Sequence, residues 1–247
     1  MAITLTMLLL GILVGFVGAG GSGFIIALLT VVFGVPIHMA LGTSLAAMVF
    51  TTMSGAYSHH RQGNIDVKAG LAVGGFGAVA AYLGSGIAVW IPVGLLHWLT
   101  AGMLFLSAVM LVVRLFIVNK IGGNPTLSIR GGLYARAAFV GIVCGVLSGS
   151  FGIGSAPFIQ IGLLTILGLS VQKSVGTTML VILPIALAGG IGYYFEGYLD
   201  VLLLLQVLAG TMVGSYIGAK FTNYVPLPVL KSAMVLTPVL AAVILLF

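Results

Sequence analysis

Glycines, hydroxyls and carboxamides are concentrated in two stretches of an otherwise apolar chain. The first, Gly18–Ser44, holds Gly20, Gly21 and Ser22, then a Gly-Val-Pro break at 34–36, then Gly42, Thr43 and Ser44. The second, Gly152–Thr178, holds Gly154, Ser155 and Gln160, then Gly176, Thr177 and Thr178. The chemistry such groups offer is hydrogen-bond donation to an anion. A helix interrupted at glycine exposes backbone N–H groups at a positive dipole end, glycine lets backbone approach a ligand closely, and the hydroxyls add donors. Gln160 is polar inside an apolar run and can bond either another helix or a substrate. Non-helical backbone inside a membrane is tolerated only where it lines a cavity or is buried in protein. The competing explanation is tight helix packing, which small-xxx-small patterns such as Gly11-xxx-Gly15 and Gly141-xxx-Gly145 provide in membranes.

A second set of residues stands beside the polar loops. His59 and His60 end one apolar run, and Tyr193 and Tyr194 hold the matching places later in the chain. One member of each pair is expected to gate its own end of a pathway, with interfacial anchoring as the alternative. Asp66 and Asp200 precede apolar runs, where capping a helix N-terminus is their ordinary role and proton coupling the sharper one. Lys173 lies close to Gly176-Thr177, as His38 does to Gly42-Thr43. A charge inside such a segment points to function by default, unless it snorkels to the interface. The chain shows no nucleophile elbow, phosphate-binding loop or metal-spaced histidines. With three acidic residues in all, a hydrolytic or metal site is not readily built. The reading is therefore not an enzyme, with no cofactor and no nucleic-acid partner.

The elements that must position these residues follow from composition. Of 247 residues, 61% are hydrophobic and 5% charged, with a mean hydropathy of +1.31. Soluble domains carry about 25% charged residues, so this is an all-α polytopic membrane protein. The first apolar run, Ile3 to about Phe33, is divided by the glycine cluster and stopped at Pro36. Runs follow at about 37–57, 69–91, 93–118, 133–150, 154–167, 171–195, 199–221 and 229–247. Cys144 is a lone cysteine in an apolar run, expected to serve packing.

The two halves echo each other at one fixed offset of 134 residues. Gly11, Gly15, Gly18 and Gly20 fall on Gly145, Gly149, Gly152 and Gly154; Gly42-Thr43 falls on Gly176-Thr177, Asp66 on Asp200 and Pro92 on Pro226. The division is a single transmembrane domain: repeat one at about 1–118, a connector at about 119–132 and repeat two at about 133–247. Loop charges relate the halves. Loop 58–68 carries Arg61 and Lys68, whereas its counterpart carries Glu196 and Asp200. The positive-inside rule places the first in the cytoplasm and the second outside. Equivalent loops then face opposite sides, so the repeats have inverted topology with broken or half-length helices, and both termini lie outside. Secondary transporters are built this way, with the site near the midplane.

The glycine-rich break, Ala40-Leu41-Gly42-Thr43-Ser44 and the loop Gly63-Asn64-Ile65-Asp66 resemble the TauE/SafE family of membrane anion transporters. The second copy does so through Ser148-Gly149, Gly152-Ile153-Gly154, Gly176-Thr177-Thr178 and Gly197-Tyr198-Leu199-Asp200. The resemblance spans nearly the whole chain. It implies a homodimeric, multi-pass transporter in the cell membrane, in contact with lipid, that exports sulfite, sulfoacetate or a related sulfur-containing or organic anion. The rival readings are a non-transporting membrane subunit and an anion channel. Pro157, Gln160 and Lys173 are where substrate choice is expected to be set.

Overall fold

A computed structural model describes residues 2–17, 21–120, 132–153, 155–222 and 227–246. The helices are α1 (Ala2–Val17), α2 (Ser22–Ala27), α3 (Ile37–Arg61), α4 (Val67–Trp90), α5 (Val93–Lys120), α6 (Leu133–Phe151), α7 (Ala156–Thr165), α8 (Val171–Phe195), α9 (Val201–Thr222) and α10 (Leu227–Leu246). A π-helical stretch, Leu28–Val32, runs on from α2. No strand occurs among the described residues. Among the described residues five helices, α3, α4, α5, α6 and α8, are long and apolar enough to cross a membrane. Large apolar side chains such as Leu71, Val79, Phe105 and Leu202 stand exposed, as a lipid-facing surface requires. This is the all-helical polytopic fold the composition dictates.

The two broken segments are short for a physical reason. Gly152 closes α6 in the left-handed conformation (φ 65°), and Ser155 is left-handed as well (φ 42°). Two such residues cannot continue an α-helix. Pro157 then falls in the first turn of α7, where its missing N–H costs no helical bond. With 10 residues, α7 rises about 15 Å, roughly half of the hydrocarbon thickness.

Backbone geometry recurs at the 134-residue offset. Phe33 N–H bonds Leu28 O (3.2 Å) and Val35 N–H bonds Leu29 O (2.9 Å); Leu167 N–H bonds Gly162 O (3.2 Å) and Leu169 N–H bonds Leu163 O (3.0 Å). Gly34 and Gly168 are both left-handed, as are Gly63 and Gly197. After α3, Asn64 N–H returns to His59 O (3.0 Å); after α8, Tyr198 N–H returns to Tyr193 O (2.8 Å).

Packing crosses between the halves. α1 lies along α9 and α6 along α4, each pair parallel, while α5 meets α10 and α3 meets α8. Small residues make these approaches possible. A Cβ on Gly145 would lie 2.8 Å from Gly77 Cα, and one on Gly11 would lie 2.9 Å from Thr211 Cα. The packing role expected of these two glycines is thus what they perform. Cys144 is buried among the core residues of the same region. The buried core runs through α3 and α8, with Leu41, Leu45, Val181 and Ile185 within it.

Candidate functional site

α3 and α8 run antiparallel, and each places its Gly-Thr motif against the far end of the other. A Cβ on Gly42 would lie 2.8 Å from Tyr193 Cβ and 2.9 Å from the Tyr198 carbonyl oxygen. A Cβ on Gly176 would lie 3.0 Å from His59 Cβ and collide with the Asn64 carbonyl. These are the same contact made twice, since 59 and 64 fall on 193 and 198 at the repeat offset. Further along, Gly55 faces Met179 and Gly189 faces Leu45, again a matched pair. Glycine at 42 and 176 is therefore needed for close approach of a loop.

The hydroxyls around these motifs divide into engaged and unengaged. Ser44 Oγ donates to Ser22 O (3.2 Å), tying α3 to the first break. Thr178 Oγ1 donates to Ser174 O within its own helix (2.7 Å). Thr177 Oγ1 accepts from Asp66 N–H (2.9 Å). Tyr193 Oη donates to Gly149 O (3.0 Å), anchoring the end of α8 to the last turn of α6 beside the second break. By contrast, Thr43 Oγ1 and Gln160 Oε1 are buried with no hydrogen-bond partner, as are Ser148 Oγ and Thr100 Oγ1. His59 Nδ1 and Arg114 Nε are buried and unpartnered as well; such an atom is costly, so Thr43 Oγ1 and Gln160 Oε1, in the two stretches the sequence singles out, are atoms a polar ligand would satisfy.

The remaining residues sort as follows. Gly21, Ser22 and Ser155 are buried at the two breaks, and neither α2 nor α7 receives a side-chain cap. Gly20 and Gly154 lie outside the described residues. Of the aromatic and histidine pairs, His59 and Tyr193 turn inward, whereas His60 and Tyr194 are exposed; the Tyr194 ring meets only Phe195 edge-on at 6.0 Å. Asp66 Oδ1 accepts from Ala69 N–H (3.0 Å) and Asp200 Oδ1 from Leu202 N–H (2.7 Å). Both carboxylates are thus helix caps, the ordinary role. Lys173 is exposed, which matches snorkelling. His38 is buried, with Nε2 3.1 Å from Ala88 O and its ring 4.9 Å from that of Tyr198. Because a carbonyl only accepts, Nε2 carries the proton in this contact.

The sequence model of one family, the sulfite exporter TauE/SafE family, matches residues 3–245. The chain belongs to the TauE/SafE family. It is 60% identical to the probable membrane transporter protein YdhB of Bacillus subtilis over the full length of both chains. It is 28% identical to the probable membrane transporter protein YjnA of the same organism, over 95% of this chain and 96% of that one. A probable membrane transporter protein of Methanocaldococcus jannaschii, MJ0441, is 26% identical over 88% of this chain and 85% of its own. No solved structure gives a significant match. This TauE/SafE chain is a multi-pass membrane transporter.

Some features of the TauE/SafE site escaped sequence reasoning. Thr100 carries no signal in the sequence, because isolated hydroxyls in apolar helices usually bond their own backbone, and Ser148 is marked only by its place beside Gly149. The seam by which α4 reaches α8 was readable in part. Gly70, Gly74 and Gly77 recur at helical spacing and face Leu180, Pro184 and Ile185. Their equivalents on α9 are Leu204, Leu208 and Thr211, and α9 meets α3 far less closely.

Proposed function

We propose that this protein is a secondary transporter that moves a small sulfur-containing or organic anion, such as sulfite or sulfoacetate, by alternating access between two inverted repeats. The observation that carries the reading is the antiparallel, reciprocal packing of α3 and α8 beside two chain breaks. Two equivalent helices related by a two-fold axis in the membrane plane must run in opposite directions, and transporter sites lie where such repeats meet. The matched backbone bonds and cross-paired helices support the same relation. The family name supports an oxyanion of sulfur as the substrate class, moved outward.

In this reading the anion sits between the breaks, within reach of Thr43 and Gln160, with Ser22, Ser44 and Ser155 shaping the walls. Thr177 and Thr178 hold the second Gly-Thr motif in place. His59 and Tyr193 stand at opposite ends of the path. A hydroxyl or the amino group of a carboxamide donates to an oxyanion. The carboxamide oxygen assigned as unpartnered in Gln160 exchanges with its NH2 by a simple flip.

Purified protein in liposomes tests this. The double variant Thr43→Val, Gln160→Leu removes two buried polar groups that make no bond in the protein. Each lost bond to substrate costs about 1–3 kcal/mol, so sulfite flux should fall by roughly thirtyfold or more. Thermal stability should stay level or rise, because the groups removed are unsatisfied. Undiminished flux in the folded variant overturns the site. Absence of flux for every sulfur anion in the parent protein favours the non-transporting subunit.

A further inference from the structure

We propose that the loops 62–66 and 196–200 are two flaps, each able to latch by its aspartate N–H to a threonine hydroxyl of the facing helix, and that this structure holds the first latched and the second unlatched. The inference rests on the transporter reading for its purpose but not for its geometry. The two loops are built alike. Gly63 N–H bonds His60 O (3.0 Å) and Gly197 N–H bonds Tyr194 O (3.1 Å), and both glycines are left-handed. Each loop lays a carbonyl against the glycine of a facing Gly-Thr motif: Asn64 O on Gly176 and Tyr198 O on Gly42.

They differ in one bond. Asp66 N–H reaches Thr177 Oγ1 at 2.9 Å. The equivalent acceptor for Asp200 N–H is Thr43 Oγ1, which is fully buried and has no partner. Loop 196–200 also stands farther from its glycine, with Tyr198 O at 2.9 Å from a Cβ built on Gly42, whereas Asn64 O would collide with one on Gly176. The difference is confined to that bond and spacing: Tyr193 Oη ties the end of α8 to Gly149 O at 3.0 Å, and Tyr198, within the unlatched loop, keeps its ring 4.9 Å from that of His38 on α3.

The neighbouring helices account for the bias. α4 follows the latched loop and presents Gly70 and Gly74 to Leu180 and Pro184, with Cβ-equivalent distances of 2.7 Å and 2.8 Å. It can lie flat on α8. α9 follows the unlatched loop and carries Leu204 and Leu208 at those places, and it meets α3 far less closely. The same threonine pair that the repeat places at the site thus has a second task. Thr177 closes one mouth, and Thr43 is free to meet substrate until Asp200 N–H takes it.

Thiol labelling of purified protein with a hydrophilic maleimide separates these roles. In a Cys144→Ala background, Ser174→Cys and Ala40→Cys place a reporter one turn ahead of each Gly-Thr motif; Ser174 and Ala40 are both fully buried. Thr177→Val should speed labelling at 174 on the order of tenfold, as expected for local opening on loss of one hydrogen bond. Thr177→Ser, which keeps the hydroxyl, should return it to the parent rate. Thr43→Val should leave labelling at 40 within about twofold, since no bond is lost. Labelling at 174 that ignores Thr177→Val, or a serine variant as fast as valine, overturns the latch; a large change at 40 overturns the unlatched assignment of the second flap. Sulfite flux of the Cys144→Ala parent is measured in parallel. Flux without a labelling response sinks the latch alone, and a labelling response without flux sinks the transport reading alone.

Discussion

Tyr193 shows how one side chain can hold a broken membrane helix in place. Its hydroxyl reaches Gly149 O and Ser150 O at the end of α6, next to the left-handed Gly152. Without it those carbonyls lose a donor in a region with no water to replace it. Tyr193→Phe should lower stability by roughly 0.6–1.7 kcal/mol, the range measured for hydrogen bonds between membrane helices, seen as a lower melting temperature in detergent. An unchanged melting temperature would mean that water serves those carbonyls. Thr43 and Gln160 behave oppositely, because their unpartnered atoms contribute nothing to stability. The sequence pointed to Thr43 and Tyr193 through the repeat and to Gln160 as a polar residue in an apolar run, yet it could not rank them. Whether a hydroxyl is engaged depends on the atom opposite, and for Tyr193 that atom is 44 residues away in the chain.

At the scale of elements, the parallel pair α4 and α6 is the tightest approach in the molecule's second seam. A Cβ on Gly149 would lie 2.8 Å from Ala81 Cα, which is backbone and cannot move aside as a flexible side chain would. Gly149→Val should therefore cost about 1–3 kcal/mol or more as overpacking. It should appear as loss of monodisperse protein on size exclusion. Retention of the parent elution profile and melting temperature would show that α6 can shift on α4. Gly75, one position from the same seam, has open space around it, so Gly75→Ala is the matching control, with no loss expected. The glycine pattern in the sequence announced close helix packing. It did not say which helices meet, since parallel partners such as α1 and α9 are nearly 200 residues apart in the chain.

For the whole molecule, the charge asymmetry of equivalent loops and the antiparallel run of α3 and α8 point to the same arrangement by independent routes. One is a rule about membrane insertion, the other a matter of packing. Single cysteines introduced at Gln62 and Glu196, both exposed, test it in intact cells lacking Cys144. An impermeant thiol reagent should label Glu196→Cys from outside and Gln62→Cys only after the membrane is opened. Labelling of both from one side would rule out the inverted relation, whatever the substrate proves to be.

Composition alone determined that the chain is a helical membrane protein, because its succession of long apolar runs must satisfy the backbone within lipid. The 134-residue echo located both breaks, and the paired Gly-Thr motifs marked where the halves would meet. These are properties of spacing, and spacing is what a sequence records. The state of each polar group was decided only by the fold. Thr43 and Thr177 are the same residue type in the same motif, yet one is buried without a partner and the other accepts Asp66 N–H. The helices behind them differ too: glycines at 70 and 74 lie close against Leu180 and Pro184 of α8, and their equivalents on α9 are Leu204 and Leu208.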